Sequence, residues 1–184
     1  IDAQSRGDFY EALAELNRVL AALDQSATPP PGATASEVIE YRSLLQRLVN
    51  TYQLHLDDSA TLEAARSRRG ELSNSIKAWS GFSEPAPYSV LLVDDLRDSI
   101  QSLQERIKAA ETTDQVVQTF LSEAQAMAKD SEEQQRRLDE QAEGTKNPEA
   151  ETRLTWQRKL EQARGRAAAA TAASFETRRQ IALG

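Results

Sequence analysis

His55 is the only histidine in this 184-residue sequence, and it stands just ahead of Asp57 and Asp58. A general base or a metal ligand needs such groups to converge on one point. On a helix, one imidazole and two carboxylates at these spacings do not share a face, so His55 reads as a solvated helix residue. No second histidine completes a zinc site. The absence of cysteine excludes disulfides, thiolate chemistry and thiolate metal sites.

The adjacent acids Asp57-Asp58, Asp94-Asp95 and Glu132-Glu133 offer no better acid–base couple. Helical neighbours point about 100° apart, so neither carboxylate is held against the other. Three arginine pairs recur, Arg68-Arg69, Arg136-Arg137 and Arg178-Arg179. Each stands among Glu or Asp, the pattern of i,i+4 ion pairs on exposed faces rather than of an anion site. There is no glycine-rich phosphate loop and no Ser–His–Asp set. The expectation is a chain with no catalytic, cofactor-binding or metal-binding residues, hence not an enzyme.

The elements that hold these residues are helices. Hydrophobic residues make up 39%, charged residues 28% and aromatics only 5%, with seven Gly and six Pro. That balance favours long helices sharing narrow apolar seams over a thick core. A net charge of −7 gives no nucleic-acid footprint. No apolar run nears the ~20 residues that span a bilayer. The longest, Val90–Val93, stops at Asp94. Since residue 1 is Ile and not Met, a mature product or a piece of a longer protein is expected.

Four stripes can be followed along the chain. The first helix, about 5–26, carries Phe9, Leu13, Leu16, Leu20 and Leu23, with Ser5 and Asp8 as a capping box. A linker over 27–33, containing Pro29-Pro30-Pro31-Gly32, ends it. The second helix, about 35–79, opens on a Thr34–Glu37 capping box. Its stripe is Val38, Tyr41, Leu45, Leu48 and Tyr52, then Leu62, Ala65, Leu72, Ile76 and Trp79. The halves differ in register near Leu56–Ser59, which reads as a stutter rather than a break.

A structured loop over 80–88 follows, and Ser89 caps a third helix, about 89–142. Val93, Leu96, Ile100, Leu103, Ile107 and Ala110 are spaced by threes and fours, and the pattern continues through Val117, Leu121 and Ala124 to Leu138. Thr112 with Gln115 resembles a cap, so an interruption there is open. Asn147-Pro148 starts the fourth helix, about 148–183, with Trp156, Leu160, Ala163, Ala167, Ala170, Ser174, Thr177 and Ile181 on one stripe. Small residues around Gly165 would let a neighbouring helix come close, though the run is explained for the most part by plain high helix propensity.

The sum is a single all-α domain over 1–184, an elongated antiparallel coiled-coil-like bundle of about four long helices. The second and third helices are expected to pair antiparallel across their nine-residue loop, with the fourth folding back along them. Leu45 and Leu103 are both expected in seams. Trp79, Phe82 and Tyr88 gather at the hairpin tip. They form either a docking cluster or a small core that staples the loop.

The tip is also the most distinctive stretch. Ala78-Trp79-Ser80-Gly81-Phe82-Ser83-Glu84-Pro85-Ala86-Pro87-Tyr88-Ser89-Val90-Leu91-Leu92-Val93-Asp94-Asp95-Leu96-Arg97-Asp98 resembles part of the extracytoplasmic N-terminal region of large bacterial mechanosensitive ion channels of the MscS type. The resemblance implies a non-catalytic periplasmic domain at the inner membrane, with an assembly or gating-modulation role in ion transport. It implies protein partners, either self-association or other channel subunits, and membrane contact only through sequence outside this chain. The other expectation is a free-standing coiled-coil scaffold or adaptor that binds partner proteins.

Overall fold

A computed structural model of the chain describes residues 3–26, 28–82 and 86–183. Ala27 of the linker and Ser83, Glu84 and Pro85 of the loop lie outside the described residues, as does the Ser5 side chain proposed as a cap. The fold is all-α, with four helices in chain order: α1 (Ala3–Gln25), α2 (Ala35–Ala78), α3 (Val90–Glu143) and α4 (Pro148–Leu183). Helix α1 is already formed at Ala3, ahead of Ser5.

The helix starts follow from free backbone donors. At α2 the Thr34 hydroxyl accepts from the Glu37 amide at 3.3 Å, and the Glu37 carboxylate accepts from the Thr34 amide at 2.9 Å. Ser89 accepts from the Leu92 amide at 3.2 Å to start α3. The Asn147 side-chain oxygen accepts from the Glu149 amide at 3.0 Å, with Pro148 as the first residue of α4. Thr112 does not interrupt α3. Its hydroxyl donates back to the Lys108 carbonyl at 2.9 Å, inside an unbroken helix.

Helix α2 is also continuous, and the gap in its apolar stripe has a polar filling. His55 and Ser59 occupy the seam between Tyr52 and Leu62. Ser59 is buried, and its hydroxyl donates to the His55 carbonyl at 2.6 Å. The expected stutter is therefore a change of chemistry along one seam.

The packing order differs from the expected hairpin of α2 with α3. Helix α4 lies between them: α2 packs on α4, α3 packs on α4, and among the described residues the α2 and α3 backbones do not approach each other closely. Glu37 pairs with Arg153, and further along Asp58 pairs with Arg178, so α2 and α4 run parallel. Asp139 pairs with Arg158 while Asp114 pairs with Arg179, so α3 and α4 run antiparallel. Helix α1 lies antiparallel on α2, with Phe9 edge-on to Tyr52 and Asp24 paired with Arg42.

The main core sits where α1, α2 and α4 meet. Leu13, Leu16, Tyr41, Leu45, Leu48, Val49, Trp156, Leu160, Ala163 and Ala167 form one cluster, in which Leu48 has no exposed surface. Burying such a side chain stabilises by about 1.5–3 kcal/mol. Between α3 and α4 the contact is made by smaller groups. A Cβ built on Gly165 would stand 3.1 Å from the Gln135 side-chain nitrogen and 3.3 Å from Ser131 Cβ. The small stripe around Gly165 is thus where two helices approach closely.

Candidate interaction surface

Helix lengths decide where the seams run out. Helix α3 has 54 residues and its antiparallel partner α4 has 36, leaving the first eighteen, Val90–Ile107, with nothing alongside. At 1.5 Å per residue this arm is about 27 Å long. The α3 heptad does not change there. Val117, Leu121, Ala124 and Ser131 are buried under α4, while in the same spacing Val93, Leu96, Ile100, Leu103 and Ile107 are exposed. Leu103 is 53% exposed and Ile107 59%, against 3% for Leu45. Of the two positions expected in seams, Leu45 is core and Leu103 is bare.

Helix α2 behaves in the same way. Its last cross-helix tie is Arg66 to Gln180, at 3.0 Å. Beyond it Leu72, Ile76 and Trp79 are exposed, Ile76 at 75%. Two apolar arms therefore leave the bundle past the end of α4. Contiguous exposed apolar runs are uncommon on folded proteins and are features of protein, ligand or membrane contact sites.

The tip aromatics join the arms. The Trp79 and Phe82 rings meet edge-on at 5.6 Å, and Phe82 and Tyr88 at 5.2 Å. Each ring keeps a large part of its surface exposed. The three expected neighbours are thus together, as a ladder of rings open to solvent. Trp156 is elsewhere: it packs edge-on against Tyr41 at 5.4 Å in the main core.

Several ionisable groups tie helices together. Arg178 donates to Asp58 at 2.8 Å and Arg179 to Asp114 at 2.9 Å, so neighbouring arginines reach opposite helices. This corrects the reading of Arg178-Arg179 as pairing along one exposed face. Arg136 with Glu140 does pair at i,i+4, at 3.8 Å. Arg153 donates to both Glu37 carboxylate oxygens at 2.5 Å and to the Gly32 carbonyl at 2.7 Å. That guanidinium holds the Glu37 carboxyl down at a pKa of about 2, against the opposing effect of its burial, with the Thr34 bonds adding to it.

Glu161, which no spacing or motif singles out, is buried and carries a network. It accepts from Ser131 at 2.6 Å and from Arg164 at 2.9 Å, and Arg164 also donates to Glu40 at 2.8 Å. Three helices meet in that chain of bonds. The signal was present as a Ser at a seam position of α3, but a search for apolar spacing passes over it.

His55 is not the solvated residue expected. Its ring lies 5.1 Å from that of Phe9, and the Thr177 hydroxyl is 3.4 Å from Nδ1. Burial lowers its pKa from the ordinary histidine value, with the Asp58 carboxylate working the other way. A cleft of about 260 Å³ opens beside it, lined by Phe9, Tyr52, His55, Arg166 and alanines of α4. No carboxylate lines the cleft, so no acid–base pair forms in it. Among the described residues, no three His, Cys, Asp or Glu side chains are grouped to hold a metal ion. No helix described is long and apolar enough to cross a membrane.

Compared with known proteins, the chain matches no family model, no curated protein and no solved structure. The class that the fold and surface define is an elongated all-α bundle with two uncovered apolar arms.

Proposed function

We propose that this protein is a non-catalytic helical interaction module that binds other proteins through the arms of α2 and α3. One observation carries the reading. The α3 heptad is identical in kind on both sides of Asp114, yet it is covered on one side and bare from Val93 to Ile107. A narrow stripe of a and d positions is the shape that receives another helix.

The finer reading is a periplasmic domain of an MscS-type mechanosensitive channel, acting in assembly or in modulation of gating. It is supported by the resemblance over Ala78–Asp98, which falls on the tip and the first turns of the α3 arm. A scaffold or adaptor outside any channel uses the same surface.

Photo-crosslinking in cells tests the module. A photoreactive side chain at Ile100, on the bare stripe, is expected to give protein adducts, and one at Ser102, off the stripe, to give few. Equal absence of adducts at both positions would contradict the reading. The channel is tested on the full-length gene product in bilayers, where tension-activated currents are expected. A product that gives none under tension sinks the channel and leaves the module.

A further inference from the structure

The arms differ in charge, and the difference matches by height along the rod. On α2 past Arg66, the residues Arg68, Arg69 and Lys77 outnumber Glu71, so that arm is net basic. On α3, Asp94, Asp95, Asp98 and Glu105 outnumber Arg97 and Arg106, so that arm is net acidic. Arg69 lies ten residues before Trp79, and Asp98 lies nine after Ser89. Both are therefore about 14–15 Å below the tip.

Arg69 also falls on the α2 stripe itself, at three- and four-residue spacing between Ala65 and Leu72. A charged residue at one seam position fixes register by demanding a matching partner. Among the described residues that match is not made within one chain, because the α2 and α3 backbones do not approach each other closely.

We propose that the partner is a second copy of this chain, with the α2 arm of each copy laid on the α3 arm of the other. The inference rests on the reading of the arms as an interaction surface and names its occupant. A two-fold axis along the rod brings the arms side by side, tips together. The result is a four-helix bundle with α2 and α3 alternating up and down. Each apolar stripe then continues, past the end of α4, the seam that α4 covers below. Basic and acidic arms meet twice by symmetry, at the same height.

Sedimentation equilibrium of the purified chain reads the outcome. The wild type is expected to dimerise with rising concentration. Leu103→Asp with Ile107→Asp should abolish the dimer while circular dichroism and melting of the monomer stay close to wild type, since both residues lie outside the core. Reversing the α2 charges (Arg68→Glu, Arg69→Glu, Lys77→Glu) should weaken self-association by about tenfold or more, as should reversing the α3 charges (Asp94→Lys, Asp95→Lys, Asp98→Lys). Mixing those two variants should restore the dimer, because both interfaces of the mixed pair are attractive.

Leu72→Cys with Leu96→Cys, at equal distances from the tip, should form disulfides between chains on oxidation. A chain that stays monomeric at every concentration overturns the proposal. So does a dimer indifferent to all the arm substitutions, or an intrachain disulfide formed in the monomer. Adducts at Ile100 to a different protein, with the chain itself monomeric, would overturn the second copy and leave the interaction module standing. Absence of adducts and of dimer would remove both.

Discussion

Arg179 of α4 donates its Nε to the Asp114 carboxylate of α3 at 2.9 Å, and this ion pair stands where the covered seam of α3 gives way to the bare one. Asp114 sits in the same heptad as Ala110 and Val117. A charge is tolerated there because α4, four residues from the end of its described helix, brings a guanidinium to it. Half-buried carboxylates are stable in such positions only when paired. Ala110, the next seam residue toward the tip, is half-buried, and beyond it Ile107, Leu103, Ile100, Leu96 and Val93 are all exposed.

The contrast between covered and bare seam predicts unequal costs for the same truncation. Leu45→Ala removes a core side chain and should cost about 2–5 kcal/mol in urea unfolding. Leu103→Ala removes an exposed one and should stay within about 0.5 kcal/mol of wild type in the dilute chain. Equal losses would mean that Leu103 is covered.

The Glu37–Arg153 pair gives a pH signature. The Glu37 pKa is lowered from 4.5 to about 2 by the Arg153 hydrogen bonds. Its contribution to stability is thus present in full above the unfolded carboxylate value, and it is lost as pH falls through the folded value. Glu37→Gln should melt below wild type at neutral pH, and the two should converge as the pH approaches about 2. A gap that is constant across this range would show that the pair does not stabilise the fold.

Two glycines separate close contact from open space. Gly32 has φ of +77°, and a Cβ there would lie 2.6 Å from the Thr152 carbonyl oxygen. Gly32→Ala should therefore cost about 1–3 kcal/mol, through strain and a displaced α4 start. Gly70 lies within α2 with nothing near its missing Cβ. Gly70→Ala should stabilise by about 0.5–1 kcal/mol. Thermal melts of both variants check the opposite signs.

Ser131→Ala takes from the buried Glu161 carboxylate its 2.6 Å hydrogen bond across the α3–α4 contact. A loss of about 1–3 kcal/mol is expected, because a buried acceptor is left with fewer donors. A neutral effect in chemical denaturation would place water or Gln135 in the role of Ser131.

The helices themselves were legible in the sequence. Thr34, Ser89 and Asn147-Pro148 start them by local chemistry, and Pro29–Pro31 stop one by geometry. Periodicity, however, belongs to a single helix, whereas pairing depends on where the others end. The stripe through Leu103 looks like the stripe through Leu121, and only the length of α4 separates them. The seam residues His55, Ser59, Asp114 and Ser131 were missed because each is polar. For His55, Asp114 and Ser131 the partners lie 30 to 122 residues away, at Thr177, Arg179 and Glu161, while Ser59 turns its hydroxyl back to the His55 carbonyl. Among the tip residues, the closeness of Trp79, Phe82 and Tyr88 follows from the short loop, so that grouping could be read directly.

The bare α3 seam can be measured directly because the chain contains no cysteine. Single variants Leu103→Cys and Leu121→Cys, in dilute monomeric chain, are to be labelled with a thiol reagent and their rates compared with the unfolded protein. Labelling of Leu103→Cys near the unfolded rate, with Leu121→Cys strongly protected, is the predicted result. Equal protection at both positions would contradict it, because the arms would then be closed within a single chain.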